Sequence, residues 1–339
     1  MSIEYLQPVS SFQEAIQSIE RLKDSTVTLG VEIKHLNLIP KEELPYPYFY
    51  WKSRSSKTIY QAWGIAETFK NLDSCPQTKV PRFASFRFSD STQGSTWANF
   101  PMQLIWTPRW CLEQGEKDIL YFSPCSISER ATAEYLPSEL NDAPTQDQWI
   151  QNIIEAQSCF ASTNLQKIVL ARQSKRHSLD AESLFSELRV LQKNCYHFLL
   201  SPNQNESFFG VSPERLLKIE GTKLQTEAVA GTRATSVDNI ENAHLSDALF
   251  HSKKDQNEHG IVIQYITERL VPFCSEINIK PMQLLSLHHV QHLQTPILAD
   301  LKEDVSLTEL LAELHPTPAV CGLPKDKAME KISHLEDFD

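Results

Sequence analysis

"RLLKIEGTKLQTEAVAG", residues 215–231, sets the architecture of the chain. Apolar and β-branched residues lie on either side of Gly221, the pattern of two strands joined by a turn. Further on, in "HSKKDQNEHGIVIQYITERL" (251–270), Glu258, Ile261, Val262, Tyr265, Ile266 and Arg269 recur at the spacing of one helical face. Ser252 and Asp255 read as a capping box at its start, and Glu258 falls on the apolar side. In the other direction, "YHFLLS" (196–201) and "SFFGV" (207–211) predict strands after a helix near 180–193. Trp149, Ile150, Ile153, Ile154 and Phe160 keep a helical period. Residues 43–69, 81–90 and 98–112 mix aromatics, prolines and β-branched residues, as strands with turns do. Strands followed by a few long helices, without a regular βαβ rhythm, predict an α+β architecture. The polar, proline-bearing "LPSELNDAPTQDQW" (136–149) is the expected seam between residues 1–140 and 145–339.

Of the 339 residues, 41% are hydrophobic and 22% charged, the composition of a globular protein with a full core. A formal charge of −11 and no local Lys/Arg cluster argue against a nucleic-acid partner. The seven cysteines are scattered and form no CxxC, which predicts reduced thiols in a cytoplasmic protein rather than disulfides or a zinc site. The first residues lack a secretory pattern, and no apolar stretch approaches the roughly 20 residues of a membrane helix, so no membrane partner is expected.

Charged residues in apolar surroundings mark the candidate chemistry. In "LQKIVLARQ" (165–173), Lys167 opens a run that reads as a strand buried on both faces. Glu214 sits in "GVSPERLL" after a strand and a Ser-Pro turn. Each also has an ordinary reading: a lysine with its head in water, a turn carboxylate, and for Glu258 a partner of a buried arginine.

Six motifs in order, "KIVLAR", "GVSPERLL", "TEAVAGTRA", "KKDQNEHGIVIQYI", "VQHLQTPI" and "LHPTPAVCGLP", resemble the chorismate-utilising enzymes. The resemblance covers residues 145–339 well and is thin over 1–140. It implies the fold of the anthranilate synthase large subunit: large, mostly antiparallel sheets packed face to face, with helices outside. It further implies that 145–339 is the chorismate-binding region. Members of the family continue past "HLEDFD" with strands carrying an arginine for a substrate carboxylate and a second metal-binding glutamate. The chain is thus expected to be C-terminally truncated.

Branches of this family that add ammonia carry Gln where Lys167 stands; those that add water carry Lys. Ala230 in "AVAGT" occupies the position of a nucleophilic lysine in another branch. The resemblance therefore points to the isochorismate synthase branch, an isomerase acting on chorismate with Mg²⁺ and without a glutaminase subunit, in a menaquinone or siderophore pathway. Alternatives are salicylate synthesis, by a further elimination of pyruvate, and an inactive homologue that only binds a ligand. By the same resemblance Lys167 is the general base, Glu214 the general acid and Glu258 a metal ligand. Gly231, Thr232, His292, Ala319 and Val320 line the substrate. Chemically, a lysine desolvated by an apolar strand would titrate near roughly 7–8, where a base works efficiently, and an acid in its place needs a raised pKa.

Overall fold

A computed structural model describes residues 3–22, 27–36, 44–76, 78–87, 97, 99–124, 144–174 and 180–336. The chain forms two units, and it passes between them more than once. One unit takes residues 1–136 and 180–213, the other 137–179 and 214–339. Most of the sequence-predicted seam lies outside the described residues. Beyond it, residues 180–213 return to the first unit.

The first unit is built on a nine-stranded sheet. Its strands are β1 (Ile3–Tyr5), β2 (Thr28–Ile33), β3 (Tyr48–Lys52), β4 (Ile59–Thr68), β5 (Phe83–Phe86), β6 (Gln103–Gln114), β7 (Asp118–Phe122), β9 (Tyr196–Asn203) and β10 (Glu206–Ser212). The order is β1-β2-β7-β6-β4-β3-β9-β10, with β5 on β6. Only β1 with β2 is parallel. Helix α1 (Phe12–Glu20) is capped by Ser11 and lays Phe12, Ala15, Ile16 and Ile19 against Leu29, Val31, Leu112 and Leu120. That i, i+3, i+4, i+7 stripe is what fixes the helix to the sheet. Helix α3 (Ala181–Leu191), capped by Asp180, packs Phe185 on Tyr50 and Leu199.

In the second unit, β11 (Lys218–Glu220), β12 (Lys223–Ala234), β13 (Cys274–Ile279), β14 (Gln283–Ser286) and β15 (Val290–Leu301) make a five-stranded antiparallel sheet. Its order is β11-β12-β15-β13, with β14 also on β15. Gly221, at φ +61°, makes the β11–β12 turn that the sequence predicts. Helix α5 (Lys253–Leu270) lays Val262, Tyr265, Ile266 and Leu270 on Leu224, Ala228, Ala230 and Ile297. Alternation along β12 and β15 leaves Glu227, Thr232, His292 and Gln294 on the opposite face. Helices α2 (Gln146–Ser162), α4 (Asn239–Phe250), α6 (Leu307–Leu314) and α7 (Lys325–Leu335) complete the unit with a two-stranded ladder of β8 (Lys167–Ile168) and β16 (Gly322–Leu323).

The fold is α+β with large, mostly antiparallel sheets, as expected. Four local expectations are corrected. The Lys167 strand is two residues long, and Ile168, Val169 and Leu170 are half-buried rather than covered on both faces. Its partner β16 offers only two residues of ladder, so the apolar run packs on one side, toward Cys321, Ala328 and Ile332. The predicted helix over 149–160 forms, but Ile150, Ile154 and Phe160 are exposed and Ala156 is its buried residue. Ser252 caps α5 by accepting the Asp255 N–H, but the Asp255 carboxylate pairs with Arg233 instead of closing a capping box. Glu258 lies at the margin of the α5 face whose centre is Asp255, His259, Val262 and Ile266.

Candidate active site

Lys167 is held by its backbone and by its tip. β8 pairs with β16, and flanking hydrogen bonds join Gln166 N–H to Leu323 C=O and Val169 N–H to Cys321 C=O. Gly322 is needed there: a Cβ on it would lie 2.3 Å from the Lys167 carbonyl oxygen. The lysine Nζ then donates to the Pro318 carbonyl at 2.5 Å and lies 3.3 Å from Glu258 Oε1. These two oxygens replace the water lost by an ammonium whose side chain is only 9% exposed. Its surroundings are thus polar at the tip and not the apolar strand the sequence suggested. Glu258 is 35% exposed, so its carboxylate remains open to an incoming ion or ligand.

The Pro318 carbonyl is aimed by a tight turn. Val320 and Cys321 N–H donate to the Thr317 carbonyl, and Ala319 N–H donates to Thr317 Oγ1. Ala319 and Val320 therefore sit one and two residues beyond the oxygen that binds Lys167, Ala319 half-buried and Val320 exposed.

Glu214 has its carboxyl pushed up to about 7, first by burial and then by the charge of Glu227, with Lys167 pulling the other way. Glu227 is 2% exposed in a strand otherwise apolar from Ala228 to Ala230. Its carboxylate accepts from Gln294 Nε2 at 2.6 Å and lies 3.8 Å from Arg215 Nη2. The sequence reading passed over Glu227. The signal was the same as at Lys167, a charge set in a buried apolar run.

Gly231 stands at a bulge, where the β12–β15 register slips between Ala230 and Thr232. Its φ is +78°, and a Cβ there would lie 3.1 Å from Asp255 Cβ, so both backbone and space call for glycine. The bulge sets Thr232 opposite His292, and Thr232 Oγ1 is 3.0 Å from His292 Nδ1. Burial lowers the His292 pKa, against a backbone hydrogen bond with Gly231 that raises it, which favours a neutral ring at pH 7.

The structure thus joins Lys167, Glu214, Glu258 and the 318–320 turn through contact or charge. It joins Gly231, Thr232 and His292 as a second group. Helix α5 links them, because Asp255 touches Gly231 and binds Arg233 one turn before Glu258. Among the described residues, no three His, Cys, Asp or Glu side chains converge as a metal cluster. Glu336, in the C-terminal "LEDFD", is engaged structurally: one carboxylate oxygen accepts the Ala171 N–H at 2.5 Å.

Residues 128–339 match the family model for "Chorismate binding enzyme". The isochorismate synthase MenF of Pasteurella multocida is 34% identical over 235 residues, which cover 67% of this chain and 54% of that protein. The isochorismate synthase MenF of Escherichia coli is 30% identical over 320 residues, 86% of this chain and 73% of that one. The solved structure of the Escherichia coli menaquinone-specific isochorismate synthase superposes with a TM-score of 0.77 at 25% identity, covering 96% of this chain and 84% of that one. Anthranilate synthase component I from Streptococcus pneumoniae shares the fold, with a TM-score of 0.59 at 15% identity over 86% of this chain and 76% of that one.

Proposed function

The chain belongs to the chorismate-binding enzyme family, and from that premise we propose that it is an isochorismate synthase, adding water at C2 of chorismate with loss of the C4 hydroxyl. The observation that carries this reading is the pairing of a buried lysine with a carboxyl held near neutrality. Glu214, with its pKa of about 7, still holds a proton in a large fraction of molecules at neutral pH, and can give it to the departing hydroxyl. Lys167 is the base that takes a proton from the attacking water. To act so, it must be the neutral amine, having given up its ammonium proton to solvent, and must release the Pro318 and Glu258 oxygens it now holds. The neutral His292 and Thr232 hydroxyl form a polar wall for the ring's hydroxyl groups, and Gly231 lets the backbone come close to the substrate.

Mg²⁺ is the proposed cofactor, and it would supply neutralisation of the substrate carboxylates. Glu258 is the residue to hold it. One half-exposed carboxylate fits this ion as part of a shell finished by water and substrate oxygens, since Mg²⁺ retains several waters. Glu258→Gln is expected to weaken Mg²⁺ binding, measured calorimetrically with chorismate present, by about 10-fold or more. An unchanged titration would remove Glu258 from the metal site.

The deciding assay is product analysis of the 339-residue protein with chorismate and Mg²⁺, with and without ammonium. Isochorismate as the sole product in both is the expected result. Salicylate with pyruvate would instead indicate the elimination reaction, and anthranilate only with ammonium would overturn the water-adding role of Lys167. On this reading the protein works in the cytoplasm; separately, no described helix is long and apolar enough to cross a membrane.

A further inference from the structure

The first unit holds a cavity of about 600 Å³ whose lining is cationic in an otherwise acidic chain. Lys52, Arg54, Lys57, Arg189, Lys193 and His197 surround it, and no Asp or Glu does. No run of sequence shows this cluster whole. Lys52 ends β3, Arg54 and Lys57 follow in the β3–β4 connection, and Arg189 and Lys193 come from the end of α3 and just beyond it. Pairing of β3 with β9 sets Lys52 opposite His197 and closes the set.

The cations are positioned rather than loose. The Arg189 guanidinium carbon lies 4.8 Å from the Tyr50 ring centroid and 5.2 Å from that of Phe185. Arg54 lies 5.5 Å from the Tyr196 ring centroid and donates to the Pro213 carbonyl. Five lysine and arginine side chains around one cavity repel one another, and its lining contains no carboxylate.

A second observation points the same way. His197 is 2% exposed and is already engaged, its Nε2–H donating to the Gln192 carbonyl, so it shapes the wall and offers no further donor. The donor left over is the Nε–H of Arg189, which is buried and without a hydrogen-bond partner. Unmade hydrogen bonds of this kind are uncommon in native proteins and mark groups kept for something else.

We propose that this cavity binds a small polyphosphate, the di- or triphosphate group of a soluble molecule. Charge and shape select this class. A triphosphate carries enough negative charge to meet five cations, whereas a dicarboxylate leaves most of them unbalanced. Tetrahedral phosphates also spread their oxygens toward donors on several elements, while a planar carboxylate is satisfied by one guanidinium fork. The concave shape and the acidity of the rest of the chain favour a small ligand over a nucleic-acid strand. All the residues involved belong to the first unit and none to the Lys167 site, so this inference does not depend on the proposed reaction.

The test is calorimetry on the 339-residue protein with inorganic triphosphate, pyrophosphate and, at matched ionic strength, citrate. Triphosphate is expected to bind saturably with one site per chain, and more tightly than citrate. Lys57→Met combined with Lys193→Met alters two exposed positions without threatening the fold, and should weaken triphosphate by about 10–100-fold. Lys52→Met should act in the same direction. Absence of saturable binding, equal affinity in the Lys57/Lys193 variant, or citrate binding as tight as triphosphate would each overturn the proposal.

Discussion

Glu214→Gln is expected to lower kcat for isochorismate formation by about 10²–10⁴-fold while KM changes little, because the amide keeps the shape but cannot give up a proton. The wild-type rate should correspondingly fall as pH rises through about 7, the pH at which Glu214 loses its proton. An independent readout follows from the same shift. Between its usual 4.5 and about 7, folded Glu214 holds a proton that the unfolded chain has already released. Stability from this group is therefore full at pH below 4.5 and lost as pH rises through about 7, by on the order of 3 kcal/mol. The Gln variant has no such loss, so its Tm relative to wild type should be higher at pH 8 than at pH 4. A pH-independent Tm difference, or a variant with near wild-type kcat, would refute the role of Glu214 as the proton donor.

Lys167→Ala carries the second large effect. It removes the proposed base and leaves Glu258 and the Pro318 carbonyl without their donor. Turnover should fall by about 10²–10⁴-fold. Because truncation also leaves a cavity, Lys167→Gln is the companion variant: its amide can still donate to Pro318 but cannot serve as a base at pH 7. Both variants should be equally inactive, and the Gln form should keep more of the wild-type Tm. An active Gln form would show that Lys167 positions groups by hydrogen bonding and takes no proton.

Much of the second unit was legible because its signals are local. Gly221 marks a turn whatever the rest of the chain does, and the 258–269 spacing is a helix wherever it packs. Helix α4 was missed because its apolar residues keep no single face, with Leu249 its buried residue. The Lys167 run was over-read for a different reason. A sequence of apolar residues shows that burial is affordable, not how many strands arrive to provide it, and here only Gly322 and Leu323 do. Glu258 was placed too deep, since a helical period fixes neighbours on a face but not which of them sits at its centre. Likewise the basic cavity was invisible, because residues 52–57 and 189–197 meet only through the β3–β9 pairing.

The pairing of Lys167 with Leu323 has a consequence in time as well as space. On the ribosome, β8 is made long before the strand, the turn and the helix that hold it. Roughly 150 residues must still be added, which at ribosomal speeds of about 5–20 residues per second takes on the order of 10–30 s. During that interval the first unit can receive its last strands, β9 and β10, and close its sheet. Lys167, by contrast, stays a solvated lysine until Pro318 and Gly322 emerge. The surroundings of Lys167 are thus completed only after every strand of the first unit's sheet has been made, so a chain interrupted between residues 213 and 318 carries that sheet without the contacts that hold the lysine.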